Sequence, residues 1–165
     1  MRVVGIDPGL SITGYGCVDV PPGSPDPTLV EAGVFRLSRN ASMASRLGQL
    51  YEDLCTLLDE LTPDHMAVEA LFSHPRHART SIQMGHARGV VLLAGQTRRL
   101  ELIELGATEV KKAVTGHGHA SKEQVQHAVM SQCGLRELPE PPDLADAVAI
   151  ALCAARRLPE PSLPE

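Results

Sequence analysis

Residues 2–9 read Arg-Val-Val-Gly-Ile-Asp-Pro-Gly, and this stretch sets the fold. The β-branched run "RVVGID" (2–7) predicts a buried strand, and Asp7-Pro8-Gly9 predicts the turn that ends it. "TGYGCVDV" (13–20) and "LVEAGVFRL" (29–37) read as two further strands, separated by the Pro/Gly turn "PPGSPDP" (21–27). Connections this short make the three strands an antiparallel meander. Helical spacing of Leu47, Leu50, Tyr51, Leu54, Leu57, Leu58 and Leu61 then predicts a helix over 42–61.

The rest of the chain alternates. "DHMAVEAL" (64–71) reads as a fourth strand, "FSHPRHAR" (72–79) as a polar, basic loop, 79–99 as a long helix and "LELIEL" (100–105) as a fifth strand. "TEVKKAV" (108–114) is a short helix before the Gly/His loop "TGHGHA" (115–120). Ser121 and Gln124 have capping-box spacing at the start of another helix. After the Pro-rich connector 134–142, Asp143 opens a last helix, "DLADAVAIALCAARRL". The order βββαβαβ plus trailing helices predicts an α/β fold with a mixed sheet. Residues 1–158 are expected to form one domain, with 159–165 a frayed tail.

Composition narrows the function. With 43% apolar residues the 165-residue chain can build a core, and with 2% aromatics that core must be aliphatic. The longest apolar run, Ala147–Ala155, is far short of the roughly 20 residues of a membrane span. The N-terminus shows no leader pattern, so a cytoplasmic protein with no membrane partner is expected. Cys17, Cys55, Cys133 and Cys153 are widely spaced and read as buried free thiols.

The net charge of −5 argues, as a sum, against a nucleic-acid partner. Its distribution argues otherwise. Between Phe72 and Lys122 there are eight basic residues and three acids, a net of +5, which leaves −10 for the remainder. Segregation of this kind is common on solvated faces, but it also suits a surface that receives a polyanion.

Four carboxylates stand in apolar company. Asp7 ends the first strand, which is also an ordinary place for a turn acid. Glu69 lies inside "MAVEAL", where a buried glutamate needs a partner. Asp143 and Asp146 share a face three residues apart, although an N-cap and a first-turn acid at the helix dipole explain such a pair as well. If the four converge, their repulsion calls for cations, and hard divalent ions with oxygen ligands supply them. Two such ions suit phosphoryl transfer.

On "GIDPGLSITGYG" (5–16), "AVEALF" (67–72), "MGHARGV" (84–90), "VKKAVTGHGHASKEQVQ" (110–126) and "DLADAVAIA" (143–151), the chain resembles the RuvC family of bacterial Holliday-junction resolvases over nearly its whole length. The resemblance implies an RNase H-like fold, with a central five-stranded mixed sheet flanked by helices. It implies a metal-dependent endonuclease of DNA recombination and repair that nicks four-way DNA junctions symmetrically, leaving 5′-phosphate and 3′-hydroxyl ends. It also implies a homodimer, two Mg2+ or Mn2+ ions per active site, and cooperation with a RuvA–RuvB branch-migration complex.

By motif, Asp7, Glu69, Asp143 and Asp146 correspond to the metal-binding catalytic carboxylates, and Lys122 to a catalytic cation near the phosphate. Phe72 corresponds to an aromatic near the junction centre. Lys111, Lys112 and Lys122, with Arg76 and Arg79 of the basic loop, are the expected DNA contacts. His119 stands where many relatives carry Arg.

Other readings are weaker. "TGHGHASKE" departs from a phosphate-binding P-loop in its Lys spacing and in Glu123. His117 and His119 lie on a Gly loop that is a poor preorganised metal site. Gly85 and Gly89 share one helix face, which serves either close packing within the domain or a dimer seam. An actin-like phosphotransferase would need about twice the length. A non-catalytic nucleic-acid binding module, or an RNase H-like nuclease of other specificity, remains the alternative; the former would be marked by loss of a carboxylate.

Overall fold

The computed structural model describes residues 1–24, 26–71 and 78–159, and for 78 and 79 the backbone only. The strands are β1 (Arg2–Asp7), β2 (Ile12–Asp19), β3 (Thr28–Arg36), β4 (His65–Glu69) and β5 (Glu101–Leu105). The helices are α1 (Met43–Leu61), α2 (Ala78–Thr97), α3 (Ala107–Thr115), α4 (Lys122–Gln132) and α5 (Pro142–Arg157). The sheet order is β3-β2-β1-β4-β5. β1 to β3 form the antiparallel meander read from the sequence, and β4 and β5 add in parallel beside β1.

Each strand buries alternate residues on opposite faces, so two cores form. Val4, Ile6, Met66 and Val68 pack against α1 and α2 on one side. Val3 and Ala67 pack against α3, α4 and α5 on the other. By the same alternation Asp7 shares a face with Val3, and Glu69 with Ala67; both therefore belong to the α5 side. β1 and β4 run in parallel register, with Ile6 opposite Val68, which brings Asp7 and Glu69 to the same end of the sheet.

Glycines set how closely α5 lies on that face. A Cβ at Gly5 would stand 2.4 Å from the Ala147 carbonyl oxygen, and one at Gly14 would stand 2.0 Å from that of Asp143. At Gly16 it would meet the Val148 Cα at 2.8 Å. The helix offers small residues in return: Ala145, Ala147, Ala149, Ala151, Ala154 and Ala155 are all buried. Since Gly14 pairs with Asp7 across β1 and β2, this contact delivers the start of α5 to the end of β1.

Several element ends differ from the sequence reading. The last helix opens at Pro142 with Pro141 as N-cap, so Asp143 lies in the first turn and caps nothing. Proline suits that first position because it has no N–H to leave unpaired. α2 ends at Thr97, and Arg99 takes a left-handed φ of 58° that stops the helix. The capping box on α4 is present: Gln124 N–H donates to the Ser121 hydroxyl at 3.2 Å, and Ser121 N–H to the Gln124 side chain at 2.8 Å. All four cysteines are free thiols, but only Cys17 and Cys153 are buried; Cys55 and Cys133 are half-buried. Among the described residues no helix is long and apolar enough to cross a membrane. Of the expected tail, residues 160–165 lie outside the described residues.

Candidate active site

Asp7, Glu69, Asp143 and Asp146 line one cleft of about 380 Å³, with Lys111, Lys122, Gly9 and Met84 around them. Three parts of the sequence meet here. Asp7 and Glu69 terminate neighbouring parallel strands, and the two aspartates descend from the first turns of α5. Lys111 reaches the cleft from α3. Lys122 is the first residue of α4, where the capping box fixes the backbone that carries it. Its Nζ lies 3.4 Å from Asp146 Oδ2.

The electrostatics are those of crowded, partly desolvated acids. Asp7 is raised to about 8, first by burial and then by Asp146, Asp143 and Glu69, with Lys122 opposing. Burial also raises Glu69, helped by Asp146 and opposed by Lys111 and Lys122. Asp146 is raised by burial and Asp143, against the pull of Lys122 and Lys111. The Lys122 ammonium loses some hydration, but Asp146, Asp143 and Asp7 outweigh that loss and raise it.

When all four are ionised, the acids outnumber the two lysines and leave negative charge that the cleft does not neutralise. That excess, on hard oxygen donors, fits hard divalent cations. Among the described residues no three His, Cys, Asp or Glu side chains are already drawn together as a metal-ligand group. The carboxylates line the cleft without meeting at a point, as expected of like charges facing one another.

Among the described residues, part of the basic block read from the sequence is paired with carboxylates. Arg98 is spent on Asp59, at 2.7 Å, and Arg88 on Glu104. Lys111 and Lys122 face the cleft, whereas Lys112 is exposed and absent from its lining. Phe72, Arg76 and the rest of the 72–77 loop lie outside the described residues, as does the Arg79 side chain. His117 and His119 are exposed on the loop between α3 and α4, a helix-to-helix connection unlike a P-loop's strand-to-helix one.

Arg88 is a site residue that charge counting missed. Its Nε donates to the Glu69 carbonyl oxygen at 3.3 Å, and the residue lines a small cavity with Asp7 and Glu69. Nothing in the sequence links residues 19 apart on different elements, so Arg88 read only as one more basic residue.

Together, a meander with parallel strands added beside β1, and acidic residues at the ends of β1 and β4 and the start of α5, define an RNase H-like acidic nuclease site. The family model of crossover junction endodeoxyribonuclease RuvC matches residues 3–154. The RuvC of Caldicellulosiruptor saccharolyticus is 40% identical over 93% of this chain and 91% of its own. That of Rhodopirellula baltica is 43% identical over 92% of this chain and 84% of its own. Thermus thermophilus RuvC, solved in complex with a Holliday junction substrate, superposes with a TM-score of 0.85 at 36% identity, covering 95% of this chain and 96% of that one. The chain belongs to the RuvC family of crossover junction endodeoxyribonucleases. The yeast mitochondrial resolvase Ydc2, at 16% identity and a TM-score of 0.66, shares the fold.

Proposed function

We propose that this protein resolves four-way DNA junctions by hydrolysing one phosphodiester bond in each of two opposed strands, with Asp7, Glu69, Asp143 and Asp146 as the metal ligands. Family membership makes it an endodeoxyribonuclease, a metal-dependent hydrolase of DNA recombination and repair. The observation that carries the site assignment is the cleft itself: four carboxylates from three elements, partly desolvated, with two lysines on the rim.

Asp7, Glu69, Asp143 and Asp146 would hold two Mg2+ or Mn2+ ions, which would supply Lewis-acid charge for the attacking water and for the departing 3′ oxygen. Water adds to phosphorus and gives up a proton to solvent, the P–O3′ bond breaks, and the departing O3′ takes up a proton from solvent, which leaves a 5′-phosphate and a 3′-hydroxyl. The chain's own residues do the positioning. The sheet fixes Asp7 and Glu69 on one side, α5 fixes the aspartates on the other, and the scissile phosphate enters between them. Lys122 and Lys111 offset the charge of the incoming phosphate, and Lys122 also orients Asp146.

A symmetric substrate calls for a symmetric enzyme. α2 supports a homodimer: Ile82 and Leu93 are 62% and 53% exposed, and a Cβ at Gly85 or Gly89 would meet nothing within 4 Å. Of the two roles open to these glycines, a seam against a second copy is the one this open face favours. Residues 1–158 act as one unit in this reading. Cooperation with RuvA–RuvB and action in the cytoplasm complete it.

A labelled four-way junction, incubated with Mg2+ or Mn2+, tests the proposal. Wild type is expected to give paired nicks, and Asp7→Asn none. Cleavage by Asp7→Asn at the wild-type rate overturns the ligand assignment, and equal cutting of linear duplex overturns junction selectivity. Sedimentation of Gly89→Arg against wild type tests the seam.

A further inference from the structure

Beside the cleft lies a second, open groove of about 650 Å³, whose polar lining comprises Ser11, Arg39, Arg46, Thr80, Gln83 and Asp143. Gly9, Met84 and Asp143 border both spaces, so the groove is continuous with the candidate active site. We infer that this groove is a phosphodiester subsite, in which Arg39 and Arg46 grip the DNA backbone next to the scissile phosphate. The inference rests on the nuclease reading above and names the part of the substrate that this wall holds.

The state of the two arginines argues for it. Arg2, Arg88, Arg98 and Arg157 are each spent on a carboxylate, Asp19, Glu104, Asp59 and Glu109 respectively. Arg39 and Arg46, like Arg36, Arg99, Arg136 and Arg156, form no ion pair among the described residues, and of these six only Arg39 and Arg46 line the groove. Arg46 is nonetheless held in place. Its Nη2 donates to the Leu10 carbonyl and lies 3.5 Å from the Ser11 hydroxyl. Its Nε is buried without a partner, so the guanidinium carries charge that the protein does not answer.

A guanidinium fixed in orientation and short of an anion is suited to a planar, two-pronged contact with phosphate oxygens. Arg39 is exposed at the rim and adds a second charge. Ser11, Thr80 and Gln83 offer neutral donors. The occupant is a strand of DNA rather than free phosphate because the groove runs on into the cleft where the bond is cut.

The two residues also divide the work. Arg46 hangs on the backbone of the loop after Asp7, so a phosphate on Arg46 fixes the strand relative to the end of β1. Arg39 precedes α1 and touches none of the carboxylate-bearing elements by hydrogen bond among the described residues, so its contribution is attraction alone.

The test is binding of a fluorescent junction, in Ca2+ or EDTA, across 50–300 mM salt, for wild type, Arg39→Gln and Arg46→Lys, with melting curves for each. Each lost phosphate contact is expected to lower the slope of log K against log salt by about 0.9, and to weaken binding roughly tenfold at 0.1 M. Arg39→Gln should show both effects at unchanged melting temperature. Arg46→Lys keeps the charge, so its slope should hold while kcat/KM for cleavage falls. Free inorganic phosphate at 10 mM should compete no better than chloride of equal ionic strength; strong competition would make the groove a small-anion site and overturn the DNA assignment. If wild type cleaves junctions and Arg39→Gln binds with the wild-type slope, the subsite is wrong and the nuclease reading stands. If the slope falls as expected but no variant or wild type cleaves, the subsite stands and the nuclease reading fails.

Discussion

Asp7→Asn should make the metal-free protein more stable, and, on the proposed ligand assignment, should abolish cleavage. The carboxylate is raised from 3.8 to about 8, chiefly by burial and then by three neighbouring acids. A folded-state value above the unfolded one means that ionising Asp7 costs stability. That cost is absent below about pH 4, grows as pH rises toward 8, and is constant beyond. Each unit is worth about 1.4 kcal/mol, so the cost built up by pH 7 is about 4 kcal/mol, and the full shift, reached above pH 8, amounts to about 6 kcal/mol. The asparagine must still find partners for a buried amide, which takes back about 1–2 kcal/mol. A net gain of about 2–3 kcal/mol remains, or about 4–12 °C in melting temperature for a chain of this size. Melts followed by circular dichroism in EDTA at pH 4, 6 and 8 measure it. The difference between variant and wild type should be near zero or slightly negative at pH 4 and widen by pH 8. Millimolar Mg2+ or Mn2+ should stabilise wild type by binding the folded state, and the variant by less. A variant no more stable than wild type at pH 8, or a difference independent of pH, would refute the claim that uncompensated charge is stored in this cleft.

Four other outcomes follow from the same geometry. Gly14→Ala places a Cβ 2.0 Å from the Asp143 carbonyl oxygen, so it should destabilise by about 1–3 kcal/mol in denaturant melts and lower cleavage by displacing α5. Ser121→Ala removes half of the α4 capping box and should cost about 1 kcal/mol, with a measurable loss of cleavage because Lys122 is the next residue. Lys122→Met should reduce cleavage at least tenfold while leaving the fold intact, since its side chain is 68% exposed. Asp19 is held below the usual carboxylate range by its hydrogen bond to Arg2, so Asp19→Asn should cost up to about 1 kcal/mol at pH 7. That cost should vanish as pH falls below the ordinary aspartate range near 4, because a lowered folded-state value gives stability that acid removes.

The fold was legible because its signals are local. β1 is a β-branched run closed by Pro-Gly, α1 carries seven apolar residues at helical spacing, and Ser121 with Gln124 announces α4 three residues apart. Each can be read from a window of a few residues, and each stands within two residues of its predicted place. The N-cap of α5 lies two positions before Asp143: aspartate is the commoner N-cap, but Pro141 takes that place through backbone geometry alone. The charge block failed for the opposite reason. Whether Arg88 and Arg98 face a polyanion or a carboxylate depends on Glu104 and Asp59, 16 and 39 residues away. No sum over a segment carries that information.

The candidate site divides along the same line. Its acids were visible because a carboxylate inside an apolar run is anomalous wherever the chain goes. What brings them together was not visible, because it is done by residues without functional groups. Gly5, Gly14 and Gly16 clear a track on β1 and β2, and Ala147 and Ala151 let the α5 backbone lie in it. Asp143 is three residues before Asp146 on that helix, so the depth of a glycine track sets the position of two carboxylates at once. Arg88 contributes in a similar way from the other side, holding the Glu69 backbone rather than its charge. It follows that substitutions at Gly14 or Arg88 should disturb catalysis as surely as some at the acids. Their signature should differ: with the four acids as the proposed ion ligands, loss of an acid would remove a ligand, whereas loss of the track or the clamp would move ligands that are all still present. Raising the Mn2+ concentration should therefore restore part of the cleavage lost by Gly14→Ala or Arg88→Met, and none of that lost by Asp7→Asn.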